Sequence, residues 1–335
     1  MDLVVLILII LAVVLAFGIG ANDETMANVV SSGSLKLKYA VLFGGVLAFL
    51  GCLFLSANVG KTIGKSLLGS EVSYNSFMMM AILLSTSFWL IISSKTSVPI
   101  STTHSVVGSV FGISFVWAIA TGQNYFLSIN WIKMGEVAIG WVLSPILGFC
   151  GAIIAQLIIT RFMKYRSSGL IQVEKTEKFF QYIILAFVCI NQISRGGNDS
   201  ANALGIIYGL IKSGDIAQDI EVILIIIVGF MLMAGLIIIG KNVIENIGTT
   251  AGKMRPSDSL AAEISASLII FGATVFGFPV SGSHILIFAL IGSARMKGIT
   301  PDKKSFRRMV SSWFLTFPVA AILSAVIYTS LLFLV

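Results

Sequence analysis

Two short stretches carry much of the polar chemistry of an otherwise apolar chain: SVPISTTHSVVGS, beginning at Ser97, and GFPVSGSHILIFA, beginning at Gly277. Each sets a proline, several hydroxyls and one of the chain's 2 histidines, His104 and His284, inside hydrophobic sequence. A proline cannot extend a helix arriving from the preceding run, because it lacks the amide donor and its ring clashes with the turn before it. The hydroxyls that follow suit the cap of a new helix: Ser101, Thr102, Thr103 and Ser105 in one copy, Ser281 and Ser283 in the other. A helix that starts within a membrane turns free N–H groups and the positive end of its dipole toward the protein interior, where they suit an oxyanion. In a single copy, a kink with back-bonded hydroxyls and a structural histidine would be the plainer reading. Recurrence, with both histidines confined to the two copies, favours a site.

A second pair of motifs supplies the opposite chemistry. Asp23 and Asp199 each follow an apolar run and an asparagine, Asn22 or Asn198, with a Gly-Ala or Gly-Gly pair that is expected to loosen the helix. A carboxylate in low dielectric must be paired, protonated or bound to a cation. Arg195 is available to Asp199, whereas Asp23 has no basic neighbour in sequence. Carboxylate and amide oxygens are hard ligands, suited to a hard monovalent cation or a proton. Gln192, in the stretch NQISRGGND that is expected to be broken, is a further polar ligand candidate or a partner for freed backbone groups. Anion donors together with cation ligands imply symport, in which the cation offsets the charge of an entering anion.

The elements that must position these groups follow from composition. With 57% hydrophobic and 11% charged residues, and a mean hydropathy of +0.99, the chain suits a bilayer rather than water. Ten apolar runs are visible: Leu3 to Gly20, Ala40 to Ser56, Phe77 to Ser93, Val106 to Thr121, Val137 to Thr160, Phe179 to Ser194, Ile220 to Ile239, Ala261 to Phe276, Ile285 to Gly292 and Val310 to Val335. Several fall short of the roughly 20 residues a straight span needs, which predicts broken or hairpin helices in an all-α, polytopic bundle. The first run lacks a basic flank and a cleavage site and is expected to stay as a span.

The motifs recur in order. GANDETMANVVSSGS from Gly20 aligns with GGNDSANALGIIYGL from Gly196, NVGKTIG from Asn58 with NVIENIG from Asn242, and the proline stretches with each other, at offsets of 176, 184 and 180 residues. The chain therefore reads as a duplication: a first repeat over 1–160, a basic cytoplasmic linker over 161–178 and a second repeat over 179–335. Five crossings per half is an odd number, which predicts inverted repeats with a site near the midplane at their interface. Placing both termini outside puts 17 of the 22 Lys and Arg residues on cytoplasmic connectors, as the positive-inside rule prefers.

The net charge of +7 does not indicate nucleic-acid binding, since the basic connectors carry no interleaved aromatics for base stacking. Cys52, Cys150 and Cys189 lie singly in apolar runs and are expected to be free thiols. An intramembrane hydrolase would need a nucleophile and base that face each other, which adjacent residues such as Ser283 and His284 on a helix do not. No GxxxxGK[ST] nucleotide loop is present, which argues against a primary pump. An anion channel built on the same helix ends stays open.

GANDETMAN and GGNDSANALG, with PISTTHSVVGS and PVSGSHILIF, resemble the paired signatures of the inorganic phosphate transporter (PiT) family over nearly the whole chain. The resemblance implies a phosphate importer of the cell membrane, coupled to sodium or alternatively to protons, built from inverted repeats with hairpin helices and homodimeric. It implies no cofactor and no enzymatic activity. Carried over by position, it places Asn22, Asp23, Asn198 and Asp199 at the cation, with Gln192 added from its place in the same stretch. Ser101, Thr102, Thr103, His104, Ser105, Ser281, Gly282, Ser283, His284, Thr25 and Asn202 are placed at the phosphate. Sulfate, also tetrahedral, is the nearest competing substrate. One departure stands: the pattern Asn-Asp-X-Ala-Asn is intact from Asn198 to Asn202, but Met26 lies opposite Asn202 in the first copy. Either Asn28 takes over after a local bulge, or the first half lacks that ligand.

Overall fold

A computed structural model describes residues 2–63, 67–72, 74–166, 168–250, 254–298 and 302–333. Among them no β-strand forms, and the α-helices in chain order are α1 (Leu3–Ala21), α2 (Ala27–Ser31), α3 (Leu37–Ile63), α4 (Ser76–Lys95), α5 (Thr102–Thr121), α6 (Trp131–Arg166), α7 (Leu170–Ser213), α8 (Glu221–Gly235), α9 (Lys241–Thr250), α10 (Pro256–Val275), α11 (Gly282–Met296) and α12 (Lys303–Leu332). Among the described residues each of the ten apolar runs is helical over most of its length, the seventh continuing from α8 through a π-helical turn at Leu236–Gly240. Among the described residues, 8 segments are long and apolar enough to cross a membrane. Large apolar side chains on the outside, such as Phe54, Ile132, Ile158 and Phe314, face outward without cover. A lipid solvent accepts that surface, while the polar groups collect inside.

The proline stretches break the chain as their chemistry requires. After α4 the backbone turns through Ser97 at φ 58°, and after α10 through Gly277 at φ 74°. The two turns match bond for bond: Val98 N–H donates to Ser93 O at 3.2 Å, and Phe278 N–H to Ala273 O at 2.8 Å. This is the left-handed ending that satisfies the last free carbonyls of a helix. Non-helical residues carry the chain past Pro99 and Pro279, and the next helices start with Ser101 and Ser281 as extended caps, whose hydroxyls accept from His104 N at 3.2 Å and His284 N at 3.4 Å.

The GGND stretch behaves otherwise. α7 runs unbroken from Leu170 to Ser213, through Gln192, Gly196, Gly197 and Asp199. The expected loosening does not occur because these glycines are contact points: a β-carbon on Gly196 would stand 2.4 Å from Ala48 O, and one on Gly197 2.5 Å from Leu55 Cβ. α3 and α7 thus approach backbone to backbone, the small-residue packing that substitutes for a hydrophobic drive in membranes. The described residues of the segment 161–178 are mostly helical, forming the end of α6 and the start of α7. Contacts also interlace the two halves of the chain: α5 packs along α12, and α11 along α6.

Candidate functional site

The site is built around Arg195, which α7 carries into the interior with 4% of its surface exposed. Its Nη1 and Nη2 grip the two oxygens of Glu24 at 2.7 and 3.1 Å, a guanidinium fork on a carboxylate. Nε donates to Asp199 Oδ2 at 3.0 Å, one helical turn along α7, and lies 3.7 Å from Asp23 Oδ1. Nη2 also donates to the Ser283 hydroxyl at 3.0 Å, at the first turn of α11. Gly282 makes this approach feasible, since a β-carbon there would stand 2.9 Å from Nε. Three carboxylates around one guanidinium leave the ionised cluster with net negative charge in a dry interior, which is costly unless a further positive charge arrives.

The first half supplies its share because α1 ends at Ala21. Asp23 Oδ1 then accepts from Thr25 N at 2.9 Å and Thr25 Oγ1 at 2.7 Å, a local turn that competes with the helix. Its other oxygen accepts from the Gln192 amide of α7. Asp23, without a basic neighbour in sequence, therefore meets both Gln192 and Arg195 in space. Thr25 Oγ1 itself accepts from Arg195 Nη1 at 3.3 Å.

Asn22 and Asn198 occupy matching positions, and each side-chain oxygen accepts from the matching N–H of its proline loop, Ile100 or Val280, while the amide nitrogens choose different carbonyls. Asn22 Nδ2 donates to Ile100 O at 2.7 Å while Ile100 N donates back to its Oδ1 at 3.3 Å. Asn198 Nδ2 donates to Phe278 O at 3.0 Å and Val280 N donates to its Oδ1 at 3.4 Å. Each amide clamps the proline loop of its own half, which fixes where α5 and α11 begin.

The two helix starts adjoin. The His104 and His284 rings lie 4.8 Å apart, and Thr103 Oγ1 donates to Val280 O at 3.5 Å. Each histidine also packs on a tryptophan, His104 on Trp141 at 3.8 Å and His284 on Trp313 at 4.2 Å. Ser101 caps α5, and the Ser105 hydroxyl turns back to Ser101 O at 3.1 Å. Among the described residues no hydrogen bond links Ser101, Thr102 or Ser105 to the carboxylate cluster, whereas Ser283 and Thr25 touch Arg195 directly. Ser281 caps α11. Asn202 Nδ2 donates to Asp199 O at 3.0 Å, and its Oδ1 is buried without a partner.

Three residues at the centre were not singled out as ligands from sequence: Glu24, Arg195 and Glu263. Glu263 of α10 is fully buried and accepts from Asn28 and Asn191. Asn28 thus serves Glu263, while Met26 packs in the apolar core. A signal for Glu263 did exist, as an acidic residue within the apolar run Ala261 to Phe276.

Residues 19–324 match the model of the phosphate transporter family. A Bacillus subtilis protein named "Probable low-affinity inorganic phosphate transporter" is 28% identical, with 97% of each chain covered. The Arabidopsis thaliana protein named "Inorganic phosphate transporter 2-1, chloroplastic" is 26% identical over 94% of this chain and 70% of its own. A solved structure described as the sodium-dependent phosphate transporter superposes with a TM-score of 0.84 over 100% of both chains at 22% identity, which shows a shared fold.

Proposed function

We propose, for a chain that belongs to the phosphate transporter family, that it imports inorganic phosphate by symport with a cation. The chain is a multi-pass membrane transporter and not an enzyme. The cation we assign is sodium first and a proton as the alternative, with alternating access around a midplane site shared by two inverted repeats. The observation that carries this reading is the buried cluster of Asp23, Glu24 and Asp199 around a single Arg195, beside the start of α11. Its excess of negative charge repels an oxyanion until a cation enters, so that binding of the two is linked. The name of the solved structure with the same fold supports sodium as that cation.

Within this reading Asp23, Asp199 and Gln192 hold the cation directly. Asn22 and Asn198 contribute there too, through the loop carbonyls they clamp. Phosphate is received by the amino-terminal ends of α5 and α11, with Ser101, Thr102, Thr103, His104, Ser105, Ser281, Gly282, Ser283 and His284, and with Thr25 and Asn202 alongside. The repeats span 1–160 and 179–335 about the basic cytoplasmic segment 161–178, both termini are external, the membrane is the cell membrane, and the assembly is a homodimer.

Radiolabelled phosphate uptake into proteoliposomes, with sodium, potassium and pH gradients varied separately and with unlabelled sulfate and arsenate as competitors, tests it. Uptake driven by an inward sodium gradient is expected, with Asp23→Asn and Asp199→Asn each abolishing it while still inserting. Phosphate conduction without any cation gradient would identify a channel instead, and stronger competition by sulfate would reassign the substrate.

A further inference from the structure

We propose that Glu24 is a resident stand-in for the transported anion: its carboxylate fills the Arg195 fork that phosphate takes when it binds. The inference rests on the phosphate reading above and adds to it a ligand, Arg195, and a displaced competitor.

Four observations converge on it. The first is the geometry, two guanidinium nitrogens on two carboxylate oxygens at 2.7 and 3.1 Å, because the same fork receives a phosphate in the same bidentate manner. The second is position. The fork opens beside the start of α11, where Nη2 donates to Ser283, so the carboxylate held there lies where a helix dipole favours negative charge. The third is the exception each residue makes to the duplication: at the offset of 176, Arg195 corresponds to Ile19 and Glu24 to Ser200. Two charges without counterparts in the other half meet each other across 171 residues. The fourth is the matching gap in the cap of α11. Thr102 of the first copy corresponds to Gly282 in the second, and only a residue without a β-carbon admits the guanidinium so closely.

The consequence is an exchange. Phosphate entering the site must displace Glu24, whose freed carboxylate then joins Asp23 and Asp199 as a negative group facing the incoming cation. Phosphate binding is thus weakened by the fraction of time that the Glu24 carboxylate occupies the fork.

The test is equilibrium binding of radiolabelled phosphate to the full-length protein in detergent. Glu24→Gln, which keeps the shape and removes the charge, is expected to bind phosphate about tenfold more tightly than the wild type, the scale of one charge-assisted pair. In the double variant with Arg195→Lys the gain should vanish, since the lysine offers no fork. An unchanged or weaker phosphate affinity in Glu24→Gln overturns the proposal. A cryo-EM structure of the wild-type protein with phosphate decides the matter without any variant: the Arg195 fork is expected on phosphate, with Glu24 moved out of it. Phosphate bound while the Glu24 pair stays intact overturns it. A wild type that neither binds nor takes up phosphate under any gradient removes the parent reading as well, so the two failures are distinguishable.

Discussion

The segment from Asn22 to Met26 and its counterpart from Asn198 to Asn202 both begin with an asparagine and an aspartate, yet one interrupts a helix and the other lies inside a helix of 44 residues. In the first, Asp23 bonds to the backbone and hydroxyl of Thr25, offering the chain a turn in place of the next helical bond. In the second, Gly196 and Gly197 are pressed against α3, and Asp199 pairs with Arg195 at i,i+4, which supports the helix. The break lets Glu24 reach across to the guanidinium. The unbroken copy holds that guanidinium still. A duplicated motif has therefore been divided into a rigid half and a reaching half, while the asparagines keep the same task of clamping a proline loop in both.

The largest expected effect breaks the rigid half. Arg195→Ala leaves three buried carboxylates without their guanidinium and should lower stability by about 3–5 kcal/mol, read as the thermal unfolding midpoint in detergent. Next come the clamps. Asn22→Ala strands both polar groups of Ile100 and should cost about 2–4 kcal/mol, with Asn198→Ala, whose bonds are longer, costing less. These losses should be present without sodium; a cost seen only when sodium is added would make the asparagines cation ligands first and clamps second. Gly197→Ala forces a methyl against Leu55 and should cost about 1–3 kcal/mol. If it instead left the unfolding midpoint unchanged, the account of why α7 stays whole would fail. The smallest effect separates the two matching turns: Ser97→Gly should stabilise by up to about 1 kcal/mol and Gly277→Ser should destabilise by a similar amount, because both positions need the left-handed backbone.

Much of the fold was legible in the sequence because its causes are local. A proline removes a donor wherever it stands, so Pro99 and Pro279 announced the breaks before any contact was known; the hydroxyls after them announced caps, and the structure picked Ser101 and Ser281 from among them. The two histidines, matched by their offset, indeed adjoin. The same reasoning misjudged Gly196 and Gly197, because a glycine that weakens an isolated helix also permits the close approach that holds a packed one.

By itself, then, the amino-acid order determined the membrane character, the apolar helices and the two proline breaks, all of which depend on neighbours within a few residues. The tertiary structure alone decided which charges meet. Glu24 finds Arg195 across 171 residues and Glu263 finds Asn28 across 235. Burial is what makes those meetings matter, since a carboxylate removed from water must take whichever partner the packing brings to it.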